Sequence, residues 1–283
     1  MRFTISDFQK RFPTNEICME TIFKIRYSNM EACPKCGVVH PKYYRVKARN
    51  CYECGDCGHQ IYPLVGTIME GTTTPLTDWF FAMYLFSVSK NGVSAKELQR
   101  SLGVTYKTAW RIGHKIRDLM NDKQDKLLKG IVEVDESLIG GKVKGGKRGW
   151  GAENKTCLFG MIERDGGVKV SVIEERTREA IYNEINSGVA KGSTVYSDEF
   201  KAYKTLSTQG YIQGSVVHSK NQWKDGDCHT NSIEGYWSNL KKSILGTHTH
   251  ISKKHMHRYL NEFAFRHNNR KGNIFEEMLK QIN

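Results

Sequence analysis

Between positions 33 and 57 the chain reads CPKCG and then CGDCG, two C-x2-C pairs separated by 17 residues, and few folds accommodate that arrangement. Four thiolates at this spacing suit one tetrahedral zinc ion, and the glycine after each pair permits the tight turn around it. Cys33, Cys36, Cys51, Cys54 and Cys57 crowd into 25 positions, while Cys18, Cys157 and Cys228 are scattered, so the pattern reads as metal ligation and not as a disulfide framework. The aromatic and basic alternation of YYRVKARNCYE between the pairs predicts a short hairpin, which makes the unit a zinc ribbon. Cys51 is surplus. A shifted register that joins Cys51 to Cys54 has the same spacing; the following glycines favour Cys33, Cys36, Cys54 and Cys57. A ribbon of this kind binds DNA, binds protein or staples a small fold, and spacing does not choose among these.

A chain of 283 residues is long enough for two domains, or for one large domain with an appendage. It has no run of 18 apolar residues, and its opening MRFTISDFQKRFP lacks the apolar centre of a signal peptide, so the expectation is a cytoplasmic protein with no membrane partner. The formal net charge is +13, and it is unevenly placed. Residues 131 to 200 hold 10 Lys+Arg against 12 Asp+Glu, a mildly acidic centre between two basic flanks. Such an excess favours a polyanionic partner through counterion release, with nucleic acid foremost.

After the cysteines, DWFFAMYLFSVSK is apolar enough for a buried helix. In SAKELQRSLGVTYKTAWRIGHKIRDLM, Ser94 with Glu97 forms an N-terminal capping signal, Ala95, Leu98 and Leu102 share one face, Gly103 turns the chain and Thr105 opens a second helix. That is helix-turn-helix spacing, and the second helix would offer Lys107, Arg111 and Lys115 to DNA. From Ile131 the texture changes to short β-branched strands, broken by glycines and by the helical REAIYNEINSGVA, with a helical end from His229. Three regions are expected: residues 1–62 with the zinc ribbon, 63–130 as a helical DNA-binding region, and 131–283 as a mixed α/β domain with C-terminal helices.

Within that last region Asp135 ends the run IVEVD and Asp198 ends STVYSD, each where a strand leaves a sheet. Glu234 follows after 35 residues in the helical HTNSIEGYWSNLKK, and Lys241 stands seven positions further on. Seven residues make almost two helical turns, so the acid and the base share a face about 10 Å apart. Three converging carboxylates repel one another unless cations intervene, and hard oxygen ligands select Mg²⁺ or Mn²⁺. Glu136 and Glu199 follow their aspartates directly and are expected to point to the opposite strand face, as non-ligands. The glycine-rich IGGKVKGGKRGWGAENK is either a plain hairpin tip or a phosphate-binding loop that offers Lys142, Lys144, Lys147 and Arg148 to DNA. Trp237 is expected to pack in the core and not to stack on bases.

The acids in this order resemble those of the DDE transposases. The full succession of zinc ribbon, helix-turn-helix, VDESLIGGK, FGMIER, GSTVYSDEFKAY, VVHS and HTNSIEGYWSNLKKSILGTHTHISKKHMHRYLNEFAFRHN resembles the zinc-ribbon insertion-sequence transposases of the ISXO-two-like group, from about Cys33 to Arg270. The resemblance implies a ribonuclease-H-like catalytic domain, with Asp135, Asp198 and Glu234 as ligands of Mg²⁺ or Mn²⁺ and Lys241 as the base that follows the acid. It also implies metal-dependent cleavage and strand transfer at transposon ends and target DNA, by a homo-oligomer on DNA. Two other readings stand beside it: a non-catalytic DNA-binding regulator, and a ribonuclease-H-like nuclease without strand transfer.

Overall fold

The computed structural model of the chain describes residues 3–121, 126–140, 155–216 and 226–282. They divide into one unit of residues 1–89, 93–120 and 271–283, and a second of residues 90–92 and 121–270. The final segment therefore joins the N-terminal unit, whereas the sequence reading assigned the whole of 131–283 to the α/β domain. Aromatic packing explains the difference. Helix α9 (Ile274–Lys280) inserts Phe275 among Phe3, Phe8, Phe12 and Phe80, and Arg11 pairs with Glu276.

In the first unit, α1 (Ile5–Arg11) and α2 (Asn15–Tyr27) precede a three-stranded antiparallel ribbon of β1 (Tyr43–Val46), β2 (Cys51–Cys54) and β3 (Gln60–Ile61). Phe23 of α2 stacks on Tyr52 with ring centroids 4.0 Å apart, fastening helix to ribbon. Helix α3 (Leu76–Val88) is buried around most of its circumference, Phe80, Ala82, Met83 and Phe86 having no exposure at all. Two further helices, α4 (Ala95–Leu102) and α5 (Tyr106–Leu119), are joined by the turn at Gly103. Ser94 accepts from the Glu97 amide and Thr105 from the Thr108 amide, the N-terminal caps expected of these residues.

The second unit is built on a mixed five-stranded sheet in the order β6-β5-β4-β7-β8. Strands β4 (Ile131–Ile139), β5 (Thr156–Glu163) and β6 (Val168–Ile173) form an antiparallel meander, and β7 (Thr194–Ser197) and β8 (Ile212–Ser215) continue it in parallel beyond β4. This is the ribonuclease-H-like arrangement, with α6 (Arg178–Gly188) making the connection from β6 to β7. Alternation along β4 sends Val132 and Val134 into one core with Phe159, Ile181, Ile185 and Tyr203. On the opposite face, α7 (Asn231–Ser243) and α8 (Lys253–Asn268) pack Ile233, Trp237, Leu240, Met256 and Leu260 against Leu158 and Ile162. Trp237 is thus a core residue, 4% exposed, as expected. No helix among the described residues is long and apolar enough to cross a membrane.

Candidate functional site

The cysteine pairs close on themselves. The sulfurs of Cys33, Cys36, Cys54 and Cys57 lie within 4.8 Å of one another, and Cys33 Sγ is 3.8 Å from Cys57 Sγ. A tetrahedron of zinc–sulfur bonds of about 2.3 Å has edges of about 3.8 Å, so the donor set and its spacing fit zinc. The two knuckles repeat one hydrogen-bond pattern. Cys33 N donates to Val38 O and Gly37 N to Cys33 O, while Cys54 N donates to His59 O and Gly58 N to Cys54 O. Gly37 and Gly58 turn the chain at φ of 72° and 69°, where a side chain would be strained. The backbone amides of Cys36 and Lys35 hold the Cys33 thiol down to about 6, toward the thiolate that a metal requires. Cys51 is fully buried and lies outside the cluster; it starts β2 opposite Val46.

The acidic site is assembled from distant segments. Asp135 on β4 and Asp198, just beyond β7, come together with Glu136, one carboxylate oxygen of each lying within 4.8 Å of the others. Strand β7 pairs with β4 only through Ile131, Val132 and Glu133, so beyond Glu133 no strand among the described residues pairs with that edge of β4, and Asp198 comes in beside Asp135 and Glu136. The same gap lets the Glu136 carboxylate approach Asp198 more closely than strict alternation predicts. Glu136 is nonetheless consumed locally. Arg176 Nε donates to its Oε1 at 2.9 Å, and Arg176 Nη2 and the Tyr203 hydroxyl donate to its Oε2 at 3.3 and 2.9 Å. Arg176 also stands 3.6 Å from Asp198 Oδ2 and lies over the Phe200 ring. Asp198 Oδ1 accepts from the Phe200 amide, a turn contact that leaves the other oxygen toward the cluster.

Burial, then Glu136, Asp198 and Glu234, push the Asp135 carboxyl up to about 7. Negative charge here exceeds what the nearby cations balance, which is the electrostatic condition a divalent cation relieves. Glu234 is on the exposed flank of α7, with Oε1 accepting from the Thr230 hydroxyl at 2.8 Å. Its carboxylate lies outside the close group of three, although its charge reaches Asp135. Lys241 is half-buried on the same flank; burial lowers its pKa, opposed by the charge of Asp135. Glu199 is exposed and absent from the cluster.

Helix α7 is held over the site by a residue that sequence reading missed. Glu133, with no exposure, accepts from the Ser232 amide at 2.7 Å, the Ile233 amide at 3.2 Å and the Ser232 hydroxyl at 3.0 Å. Arg164 Nε completes the arrangement at 2.8 Å. A carboxylate from β4 thereby satisfies the orphan amides at the start of a helix about 100 residues later, which Thr230 does not cap. Glu133 and Asp135 point to the same sheet face, so one strand both seats the helix and supplies the site. Opposite Asp135 in the ladder stands Gly160, and a Cβ there would be 2.5 Å from Trp237 Cζ2 and 3.0 Å from Ile233 Cδ1. The missing side chain is what lets α7 lie this close to the acids.

On α5, Lys107 and Arg111 are exposed beside Tyr106 and Trp110, while Ala109, Ile112 and Ile116 face inward. Lys115 is otherwise engaged, its ammonium donating to Ile68 O at 2.8 Å. Arg117 is buried and donates to Val93 O. Lys142, Lys144, Lys147 and Arg148 lie outside the described residues. The signals for Glu133 and Arg176 were weak in sequence: an acid inside the apolar run IVEV, and the first of two arginines in EERTRE.

No curated protein matches the chain. Residues 13–60 match the family described as the transposase zinc-ribbon domain, which spans all four clustered cysteines. Residues 127–268, half the chain, match the ISXO2-like transposase domain, and this stretch carries the sheet, both aspartates, α7 and α8. With a ribbon suited to structural zinc ahead of a ribonuclease-H-like sheet that gathers acids at its open edge, the chain belongs to the ISXO2-like insertion-sequence transposases.

Proposed function

We propose that this transposase cleaves DNA at the ends of an insertion sequence and joins the freed 3′-hydroxyl to target DNA, with Mg²⁺ or Mn²⁺ held by Asp135, Asp198 and Glu234. The supporting observation is the convergence of the Asp135, Glu136 and Asp198 carboxylates within 4.8 Å of one another, where burial and then the neighbouring carboxylates push Asp135 up to about 7. Glu136 is the nearest rival as third ligand, but both its oxygens already accept hydrogen bonds from Arg176 and Tyr203. Glu234 is accessible on its helix flank. When bound, a divalent cation activates the attacking hydroxyl and stabilises the leaving oxygen at phosphorus. Arg176 holds Asp198 and Glu136 in place, Glu133 seats α7, and Lys241 positions a phosphate of the bound end.

Sequence-specific affinity belongs to the first unit, where α4 and α5 act as a helix-turn-helix and the exposed Lys107 and Arg111 meet the major groove. Two ends must be processed together, so the working assembly is a homo-oligomer on DNA. The test is incubation of labelled end DNA with target DNA and Mg²⁺. Cleaved ends joined to target are expected, and Glu234→Gln should abolish both products while leaving DNA binding intact. Cleavage without joined product would mark a nuclease only. Binding without either product would mark a regulator.

A further inference from the structure

Helix α7 has a second flank. About 150° around the helix from Glu234, by its 3.6-residue turn, a recess of about 830 Å³ opens between α7, α8 and the segment at Lys90. That volume is within the range of small-ligand sites. Segment 90–92 is tied to the end of α7, since Ser243 and Thr247 hydrogen-bond to Asn91. Lys90, Lys242, Arg266 and Arg270 border the recess against Glu163 and Asp165, a surplus of positive charge. Arg270 already donates to Gly166 O and His267 O, and Arg266 lies 3.4 Å from Glu262, so the two lysines carry most of the charge offered outward.

The lining also holds neutral hydrogen-bonding groups that the protein does not satisfy. Tyr236 is 8% exposed, and its hydroxyl has no partner among the described residues. The buried Nε2 of His267 also lacks one, and its ring meets the Tyr236 ring edge-on at 5.6 Å. Burial, followed by Arg270, pushes the His267 imidazole down to about 4, so it is neutral. Asn231 and Asn239 add amides. Neutral donors and acceptors within and cations at the rim match a nucleotide, whose base and sugar are neutral and whose phosphates are not. Between this recess and the acidic site the exposed crest of α7 carries Ser238, with Asn231, Gly235 and Lys242 along the border of the recess, and no acid besides Glu234. A helix is about 10 Å across, and three nucleotides of a B-form strand rise about 10 Å at 3.4 Å each.

We infer that this recess binds a nucleotide of the DNA strand that crosses α7, about three positions from the phosphodiester at Asp135 and Asp198. The inference rests on the cleavage reading of the acids, and it makes α7 a bridge with chemistry on one flank and strand recognition on the other. The test uses the full-length zinc-loaded protein without added Mg²⁺, so that binding is read apart from cleavage. A fluorescein-labelled single-stranded decamer serves as probe, and the same oligonucleotide with 5-bromodeoxyuridine is photocrosslinked and mapped by mass spectrometry. Crosslinks in the segment containing Tyr236 or His267 are expected. Lys90→Ala with Lys242→Ala should weaken binding about 10-fold and reduce the slope of log K against log salt by about 1.4, two cations at about 0.7 each for single strands. Tyr236→Phe should weaken it about fivefold with the slope unchanged. Crosslinks confined to α5, or affinities within twofold of wild type for both variants, overturn the inference. Full cleavage by Glu234→Gln alongside crosslinks in the recess would instead overturn the acid assignment and leave the nucleotide site standing.

Discussion

The zinc ribbon and the acidic site are both clusters of side chains whose donor atoms could hold a metal ion, and they are built in opposite ways. The ribbon takes its ligands from two knuckles of four residues, each stabilised by its own backbone turns, and the short antiparallel pairing of β1 with β2 brings them together. The acidic group draws on β4 and the end of β7, and the proposed third ligand stands on α7, with 62 and 35 residues intervening between Asp135, Asp198 and Glu234. Its geometry depends on Glu133, Arg176 and Gly160, none of which is proposed to touch metal. A closed thiolate cluster suits a structural ion, and an open carboxylate cluster at a sheet edge suits an ion that must meet substrate. Local ligands make a staple; distant ligands on a rigid frame make a reaction site.

The contrast is most strongly tested at the aspartates. Asp135→Asn or Asp198→Asn should lower cleavage by at least about 10³-fold, the rate equivalent of several kcal/mol of lost charge stabilisation. The double substitution should be little worse than either single one, because the groups act as a unit. Single-turnover cleavage of labelled end DNA measures this, and additive losses would contradict it. Next come the ribbon cysteines. Cys54→Ser should abolish zinc retention and melt the ribbon without altering the α/β unit, whereas Cys51→Ser should keep one zinc per chain. Elemental analysis with limited proteolysis reads both outcomes.

Smaller effects sharpen the idea of a frame. Glu133→Gln should destabilise the second unit by about 1.5–3 kcal/mol, the worth of hydrogen bonds to a charged group, because Arg164 and the α7 amides lose their carboxylate. Gly160→Ala should cost about 1–3 kcal/mol through overpacking against Trp237. Both should depress cleavage beyond their effect on stability, since each moves α7 relative to Asp135. Urea denaturation beside cleavage rates at low temperature separates the two, and unchanged cleavage per folded molecule would argue against the frame. At α5 the effect falls on DNA affinity alone: Arg111→Ala should weaken binding of end DNA by about 1–3 kcal/mol if the side chain reads a base. A titration by anisotropy measures it, and equal weakening on unrelated DNA would reassign Arg111 to phosphate contact.

The same difference explains what could be read before folding. The cysteines carry their geometry in their spacing, so the ribbon and its ligands were legible, and burial of Cys51 away from the sulfurs resolved the register. The order of the acids and the caps at Ser94 and Thr105 were legible for the same local reasons, whereas Asp135, expected where a strand leaves the sheet, stands in the middle of β4 (Ile131–Ile139) opposite Gly160. Glu133 was not, because its partners are the amides of a helix about 100 residues away and an acid in an apolar strand carries no sign of them. Glu136 was expected to be remote, and the early end of β7 brings it near. Nor was the intramolecular partner of Lys115 legible, its ammonium donating to Ile68 O, 47 residues earlier in the chain. Helix α9 was grouped with the α/β domain by position in the chain, while Phe275 finds its aromatic partners at the other end.

The central claim is that Asp135, Asp198 and Glu234 hold the metal while Glu136 is held by Arg176. Mn²⁺ binding measured by electron paramagnetic resonance on the wild type and four single variants tests it without reference to turnover. Asp135→Asn and Asp198→Asn should lose the bound signal, Glu234→Gln should weaken it, and Glu136→Gln should keep it. Loss of Mn²⁺ in Glu136→Gln with full retention in Glu234→Gln would contradict the account and transfer the third ligand from the helix to the strand.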